Sequence, residues 1–356
     1  MRKGILILMI MAISFGFIIS MTSDSKAAGP KKLTFANWMP PMNPVSKGLE
    51  EWAREFESRT NGRYVVDLHH GGVLAPIPQA WDVLISGVAD ISEIICMDVE
   101  RPFPLTNIPS MPFVHTSSQV ATKAWFNYVV KNGYLEEEFS DAKLLIQFVG
   151  IFEDFLSVKP INSISELKGL KVVVGGGPTK ANLMKKIGAV GVFGGPPDAY
   201  MMLQKGIGEA IFIAGLGLKE FHWEEFVHYL IEPLRVSSTV HTIAMNKKVY
   251  DDMPADVKAV VEDLNADGKY SVMLAKGMEE LYENAVSTWL NEGAKSIDWN
   301  DAEKEKLHKA AVSIWKEWID AHESKGIGVK KVIDSYYKGL EAVGVKNPAL
   351  GYTPGS

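Results

Sequence analysis

Residues 167–212 read LKGLKVVVGGGPTKANLMKKIGAVGVFGGPPDAYMMLQKGIGEAIF, and the punctuation of this stretch decides the fold class. Val172, Val173 and Val174 form a β-branched run too short for anything but a buried strand, and three glycines end it. Pro178 suits the first turn of a helix that reaches Ile187, where Gly188 closes it. A second short helix is expected over 198–205, stopped by Gly206, after which 210–213 re-enters the sheet. Strand, glycine turn, helix and strand again is the order of a mostly parallel sheet with helices on its faces.

Two readings of the glycine turn compete: a phosphate-cradling loop, or one lobe of a two-lobed binding protein. No Lys-Ser/Thr pair follows the glycines as in a P-loop, and no acid sits at the right distance on a following strand for a dinucleotide fold. The earlier chain favours the second reading, because it repeats the same order. Residues 33–36 alternate as a strand and lead into Asn37, Trp38 and a double proline. Asn43 then caps a helix with Pro44 at its first position, and Val45, Leu49, Trp52, Ala53 and Phe56 share one apolar stripe. A strand over 64–68, the loop His69-His70-Gly71-Gly72, a helix over 78–86 and a strand from Ala89 follow. Residues 81–90 also align with 200–209, sharing their Leu, Gly, aliphatic and acid positions at an offset of about 119. Two similar lobes, not one large sheet, are therefore expected, with Asp90 and Glu209 ending a helix-Gly-strand turn and having no chemical task.

The rest of the chain supplies a hinge and a brace. Residues 143–147 and 152–155 lead from the first lobe to the second, and 236–246 returns. Two crossings allow closure on a ligand. Ligands of open α/β sheets sit beyond the carboxyl ends of the strands, which directs attention to loops around 37–39, 69–73, 92–97, 150–155, 173–177 and 213–216. From Pro254 onward the pattern is almost wholly helical: 254–292, bent near Gly268 or Gly277, then about 301–323 and 328–342.

Composition bounds the function. The chain has 356 residues, 47% hydrophobic and 22% charged, with net charge −6, enough for two domains with real cores. Residues 1–27 carry Arg2 and Lys3, an apolar run over 5–19 and a small-residue site at Ser25-Lys26-Ala27, the pattern of a cleaved secretory leader. No cysteine follows the apolar run, so no lipid anchor is expected. Loss of Arg2, Lys3, Lys26 and Asp24, a net +2, takes the chain from −6 to −8. Such an acidic protein has no reason to bind nucleic acid or an anionic bilayer. Cys96, the single cysteine, lies in an apolar run and reads as an inert small hydrophobe.

The motifs Leu-Lys-Gly-Leu-Lys-Val, the Gly/Pro turn, and Ala-Tyr-Met-Met-Leu-Gln-Lys-Gly-Ile-Gly-Glu resemble the second lobe of DctP-type solute-binding proteins of tripartite ATP-independent periplasmic (TRAP) transporters. His70-Gly-Gly-Val-Leu74, Gly87-Val-Ala-Asp90, Lys159-Pro-Ile161 and Met253-Pro-Ala-Asp-Val257 extend the resemblance over about 31–345. It implies a two-lobed α/β periplasmic-binding-protein-like fold of type II, each lobe a mixed sheet flanked by helices, with long C-terminal helices bracing both lobes. The corresponding division is a leader at 1–27, lobe I at 29–152 with 242–255, lobe II at 153–241, helices at 256–345 and a tail at 346–356. It also implies a periplasmic, monomeric receptor that needs no cofactor or metal and works with a small organic solute and the small and large TRAP membrane subunits.

The departures from that family are informative. Organic-acid-binding members carry an arginine two residues after the Lys of the Gly-Leu-Lys strand, which holds a ligand carboxylate with its planar fork. Val173 stands there, and Ile213 stands where an asparagine is common. Neither side chain offsets the desolvation of a carboxylate. The candidate ligand-binding set is therefore Asn37, Trp38, His70, Glu93, Phe152, Glu153, Asp154, Val173, Gly175, Ile213 and Arg235, with Phe155, Phe212 and Trp223 as further cleft aromatics. Aromatic faces beside carboxylates favour a cationic or neutral ligand; Arg101 and Arg235 are the cations that would restore an anion site.

Enzyme readings are weaker. His222, Glu225 and His228 swing around a helix instead of sharing one face, and the HExxH pattern is missing. The chain has no Gly-x-Ser-x-Gly elbow and no legible His partner for Cys96. A periplasmic hydrolase and a sensor input domain of the same fold remain the alternatives to a transport receptor.

Overall fold

The computed structural model describes residues 29–99, 102–232 and 234–345. The expected leader at 1–27, Arg101 and the tail at 346–356 lie outside the described residues. The first half runs β1 (Lys31–Ala36), α1 (Pro44–Arg59), β2 (Tyr64–His69), α2 (Ala80–Ile85), β3 (Ile91–Ile95) and α3 (Ser118–Trp125), and reaches β4 (Ala142–Ser157). The second half repeats the order as β5 (Lys171–Val174), α4 (Pro178–Lys186), β6 (Val190–Phe193), α5 (Pro196–Gln204) and β7 (Ala210–Ala214). There follow α6 (Gly217–Glu220), β8 (Tyr229–Ile231) and the return strand β9 (Ser237–Asn246). The chain closes with α7 (Lys247–Asp251), α8 (Ala255–Asn265), α9 (Lys269–Asn291), β10 (Lys295–Ile297), α10 (Asp301–Glu323) and α11 (Val329–Ala342).

Local sequence explains most of these elements. The Asn43 side chain accepts from the Val45 amide at 2.9 Å, supplying one of the partners that the first turn of a helix lacks. Val45, Leu49, Trp52, Ala53 and Phe56 are all buried, so the apolar stripe of α1 is the face that meets the sheet. The repeat of 81–90 at 200–209 corresponds to α2 entering β3 and α5 entering β7. Asp90 accepts from the Thr34 amide at 2.8 Å and so ties β1 to the turn before β3. Of the two glycines expected to bend the long C-terminal helix, Gly268 (φ 72°) breaks it into α8 and α9. The helix runs straight through Gly277, where a Cβ would lie 2.8 Å from Pro44: that glycine lets α9 approach α1.

The expected two-lobed α/β architecture is present, with one correction. The lobes are not separate sheets: a single hydrogen-bonded path runs β2-β1-β3-β9-β4-β7-β5-β6. Within it β1, β2 and β3 are parallel, as are β5, β6 and β7, while β4 and β9 run antiparallel to their neighbours. The 16 residues of β4 make this possible. At about 3.3 Å per residue it is roughly 50 Å long, more than one small lobe needs. Residues 142–149 pair with β9 in the first half and 153–157 with β7 in the second, and the register shifts between Val149 and Phe152. The two hydrophobic clusters accordingly lie on opposite faces of the shared sheet: Val172, Val174 and Phe212 belong to one, Val173, Ile211 and Ile213 to the other. Helix α9 packs on α1, α3, β4 and α6, and α10 and α11 reach α4 and α3, so the C-terminal helices brace both halves.

Gly150 sits inside the register shift, where a Cβ would lie 2.2 Å from Thr239 Oγ1 and 2.8 Å from the His241 ring on β9. Gly150→Ala is expected to destabilise the protein by about 1–3 kcal/mol, the usual cost of overpacking a tight site. Urea denaturation checks it; an unchanged midpoint would mean that β4 and β9 can part there freely.

Candidate functional site

The carboxyl ends of β1, β3, β5 and β7 converge on a cleft between the halves. Its outer part, a cavity of about 260 Å³, has Trp38, Gly71 and Asp98 on the first-half side and Gly176, Phe193 and Asp198 on the other. That lies just under the range of small-molecule sites, roughly 300–1,000 Å³. Behind it is a cavity of about 30 Å³, room for little more than water. Trp38 and Asp98 line both and form the partition between them. A larger groove of about 790 Å³ flanks the first half along Phe126, Phe139 and Lys143; its Lys143 pairs with Glu262 at 2.6 Å. It takes no residue from the second half and lies away from the converging strand ends, so the cleft is the candidate site.

Asn37 makes the entry loop rigid. Its Oδ1 accepts from the Met39 amide at 3.0 Å, an Asx-turn, while Nδ2 donates to Ser46 Oγ at 2.9 Å and to His70 Nδ1 at 2.8 Å. His70 therefore carries its proton on Nε2, which faces Glu50 at 3.4 Å, and burial lowers its pKa. Both residues hold the loop that presents Trp38. One face of Trp38 stacks on His241 at 6.1 Å between centroids, and His241 stacks in turn on Phe148 at 4.7 Å. The imidazole is fixed at both nitrogens, by Glu93 at 2.8 Å and Thr239 at 3.0 Å. The Trp38 Nε1 hydrogen has no acceptor among the described residues.

The charged centre lies deeper. Lys180, in the first turn of α4, donates to Glu153 Oε1 at 2.5 Å, and Ser237 donates to Glu153 Oε2 at 2.5 Å. The pair is almost fully buried, with the side chains 4% and 0% exposed. Gly175 leaves room for it: a Cβ there would come within 3.1 Å of Lys180 Nζ. Across the cleft Asp98 approaches Gly176 so closely that a Cβ on the glycine would lie 2.0 Å from Oδ1. Burial pushes the Asp98 pKa up, opposed by the charge of Lys180 and the Gly176 amide. Among the described residues, Oδ1 of Asp98 and Oε2 of Glu93 are sheltered and accept no hydrogen bond.

Several expected site residues are elsewhere, and the two-residue period of a strand is the reason. Glu153 faces the cleft, so Phe152 and Asp154 face the other way, against α9. Asp154 accepts from the Tyr282 hydroxyl and, at 2.7 Å, from the Arg235 amide. The Arg235 guanidinium lies 4.8 Å over the Phe152 ring and donates to the Thr116 carbonyl, so it supplies no cation to the cleft. Val173 packs where Gly208 and Gly194 approach and lines neither cavity. Phe155 and Phe212 pack with tilted rings in the core, and Trp223 packs on Gly217. Trp38, Glu153, Gly175 and Ile213 do line the cleft, and Glu93 reaches it through His241. Sequence reasoning missed Asp98, Lys180, Phe193, Ser237, Thr239 and His241. Asp98, Phe193 and Ser237 lie at or near strand ends, whereas Thr239 and His241 lie inside β9 and Lys180 in the first turn of α4. Among the described residues no group of three or more His, Cys, Asp and Glu is placed to hold a metal ion.

The chain belongs to the bacterial extracellular solute-binding protein family 7, DctP, whose model matches residues 35–321. It is similar to a solute-binding protein of Chromohalobacter salexigens, 26% identical over 178 residues, a match covering 48% of this chain and 51% of that one. Its fold superposes on a TRAP periplasmic solute-binding protein of Desulfovibrio salexigens in an open complex, with TM-score 0.75, 24% identity and coverage of 90% and 98%. A Bordetella bronchiseptica TRAP protein with bound (R)- and (S)-mandelate gives TM-score 0.77 at 22% identity, covering 88% and 100%. The DctP resemblance read from the motifs is thus borne out.

Two predictions follow from the charged groups. Lys180→Met leaves Glu153 buried with no cation and is expected to cost about 3–5 kcal/mol, most of it restored by adding Glu153→Gln; equilibrium denaturation of both variants checks this. Asp154 is pushed up by burial to about 6 from an ordinary 3.8. The folded state therefore favours its protonated form, a contribution complete below pH 3.8 and lost as pH rises through 6. Asp154→Asn removes that loss, on the order of 3 kcal/mol. The gap in stability between variant and parent should move in the variant's favour from pH 4 to pH 7. Taking the difference cancels the contrary effect of His115, which burial lowers to about 4.

Proposed function

We propose that the protein is an extracytoplasmic receptor, exported by a cleaved leader at 1–27, that closes its two lobes as a monomer around a small organic solute. It hands the solute to a TRAP permease of one small and one large membrane subunit, making and breaking no bond. The observation that carries this is the cleft itself: its walls come from both halves, which share one sheet through β4 and its partner β9 and are spanned by α9. Burial of the solute between the lobes favours the closed form; docking on the permease favours the open form and release, a population shift set by differential affinity. The family, the fold and the binding of mandelate by the B. bronchiseptica protein all support a small organic ligand. Val173 in place of the family's arginine and a Lys180 already bonded to Glu153 support a ligand other than a simple carboxylate held by the usual arginine.

The test is uptake. Proteoliposomes holding the membrane subunits should accumulate the co-purifying solute, identified by mass spectrometry, only when this protein is present outside. Equal uptake without it would overturn the receptor reading, as would turnover of the solute by the protein alone.

A further inference from the structure

We propose that the solute carries a cationic nitrogen on a flat or apolar body, with the Asp98 carboxylate meeting the charge and Trp38 and Phe193 forming the two walls. This rests on the receptor reading above and names the chemistry of the same cleft.

The charge balance is the first argument. Asp98 and Glu153 line the cleft, Glu93 lies behind His241, and among the described residues Lys180 is the only lysine or arginine lining it. Even with His241 counted as a cation, the described residues of this group are short of positive charge. Lys180 is committed as well, since it bonds Glu153, whose other oxygen is taken by Ser237. An incoming anion would have to compete with a buried carboxylate for one ammonium group while facing two further carboxylates.

Unmet hydrogen-bonding capacity is the second argument. A sheltered carboxylate oxygen with no donor costs free energy, and at a cleft it marks the place of a donor not yet supplied. Asp98 Oδ1 is such an atom, and it lies on the wall shared by the inner and outer cavities. Glu93 is 1% exposed, and its free Oε2 adds to the negative potential behind His241. The acceptor at the cleft wall, Asp98 Oδ1, asks for an N–H group.

The aromatic walls are the third argument. Phe193 ends β6 on the second half and is 62% exposed, a large apolar ring with no structural work to do there. It lines the outer cavity together with Trp38 of the first half. Indole is the strongest cation-π acceptor among side chains, and an aromatic cage is the usual protein solution for ammonium ligands. A cavity of about 260 Å³ limits the body to one or two rings.

The experiment uses calorimetry on the purified protein with matched amines, alcohols and carboxylates built on benzyl, phenethyl and indolylethyl frames, alongside native mass spectrometry after incubation with a cell extract. Amines are expected to bind, with the matched alcohol and carboxylate at least tenfold weaker. Asp98→Asn should weaken the best amine by about thirtyfold or more, the usual result of removing one partner of a sheltered charge pair. Phe193→Ala, a substitution at an exposed site that leaves folding intact, should weaken it by about threefold to tenfold. Tighter binding of the carboxylates, equal binding of the alcohols, or amine affinity unchanged in both variants overturns the proposal. If no frame binds, an extract ligand bearing a cationic nitrogen supports it, and one without overturns it while the receptor reading stands. No ligand from either source sinks the receptor reading itself.

Discussion

The sharing of β4 between two half-sheets is the constraint on which the rest of the molecule depends. One strand of 16 residues gives its first part to β9 and its last part to β7 and β8. Every buried amide along it must find a partner, so the two halves cannot drift apart without breaking backbone hydrogen bonds. The ladder between β4 and β9 is interrupted at the register shift near Gly150. Helix α9, which packs on both halves, adds to the shared strand in holding them together, and the bulge between Val149 and Phe152 marks a place where the pairing of β4 changes register.

The charged centre of the cleft sits beside that shift. Glu153 follows the bulge directly, and its partners arrive from α4 and from the first residue of β9. An ion pair this sheltered is a poor source of net stability, because desolvation of both groups offsets most of their attraction. Its effect is to fix side chains. With Lys180 held by Glu153 and His241 held between Glu93 and Thr239, the remaining polar atoms, Asp98 Oδ1 and Trp38 Nε1, are left pointing where a solute would lie. Preorganisation of this kind lowers the entropy cost of binding.

Much of the fold was legible residue by residue. The Asn43 cap, the Pro44 start, the apolar stripe of α1 and the strands at 31–36, 64–69 and 171–174 all follow from patterns within a few residues of each other. The internal repeat linking α2–β3 to α5–β7 was legible for the same reason. Less was visible of the site. Trp38, Gly175 and Ile213 were found because they lie at the ends of recognisable strands. Lys180 was passed over because a lysine in a first helical turn normally faces solvent, and Asp98 because nothing nearby in sequence indicates that it reaches Gly176.

By itself the sequence determined the alternation of strands and helices, the doubled unit, the bracing helices and the family, since each is written in local periodicity or in ordered short motifs. Only the tertiary structure decided which side of β4 faces the cleft. A strand presents alternate residues to opposite faces, and a shift of one residue exchanges them. Until the pairing with β7 and β9 was fixed, Phe152, Glu153 and Asp154 were equivalent candidates. The ladder sends Glu153 to Lys180 and Ser237, and gives its two neighbours to Tyr282 and Arg235.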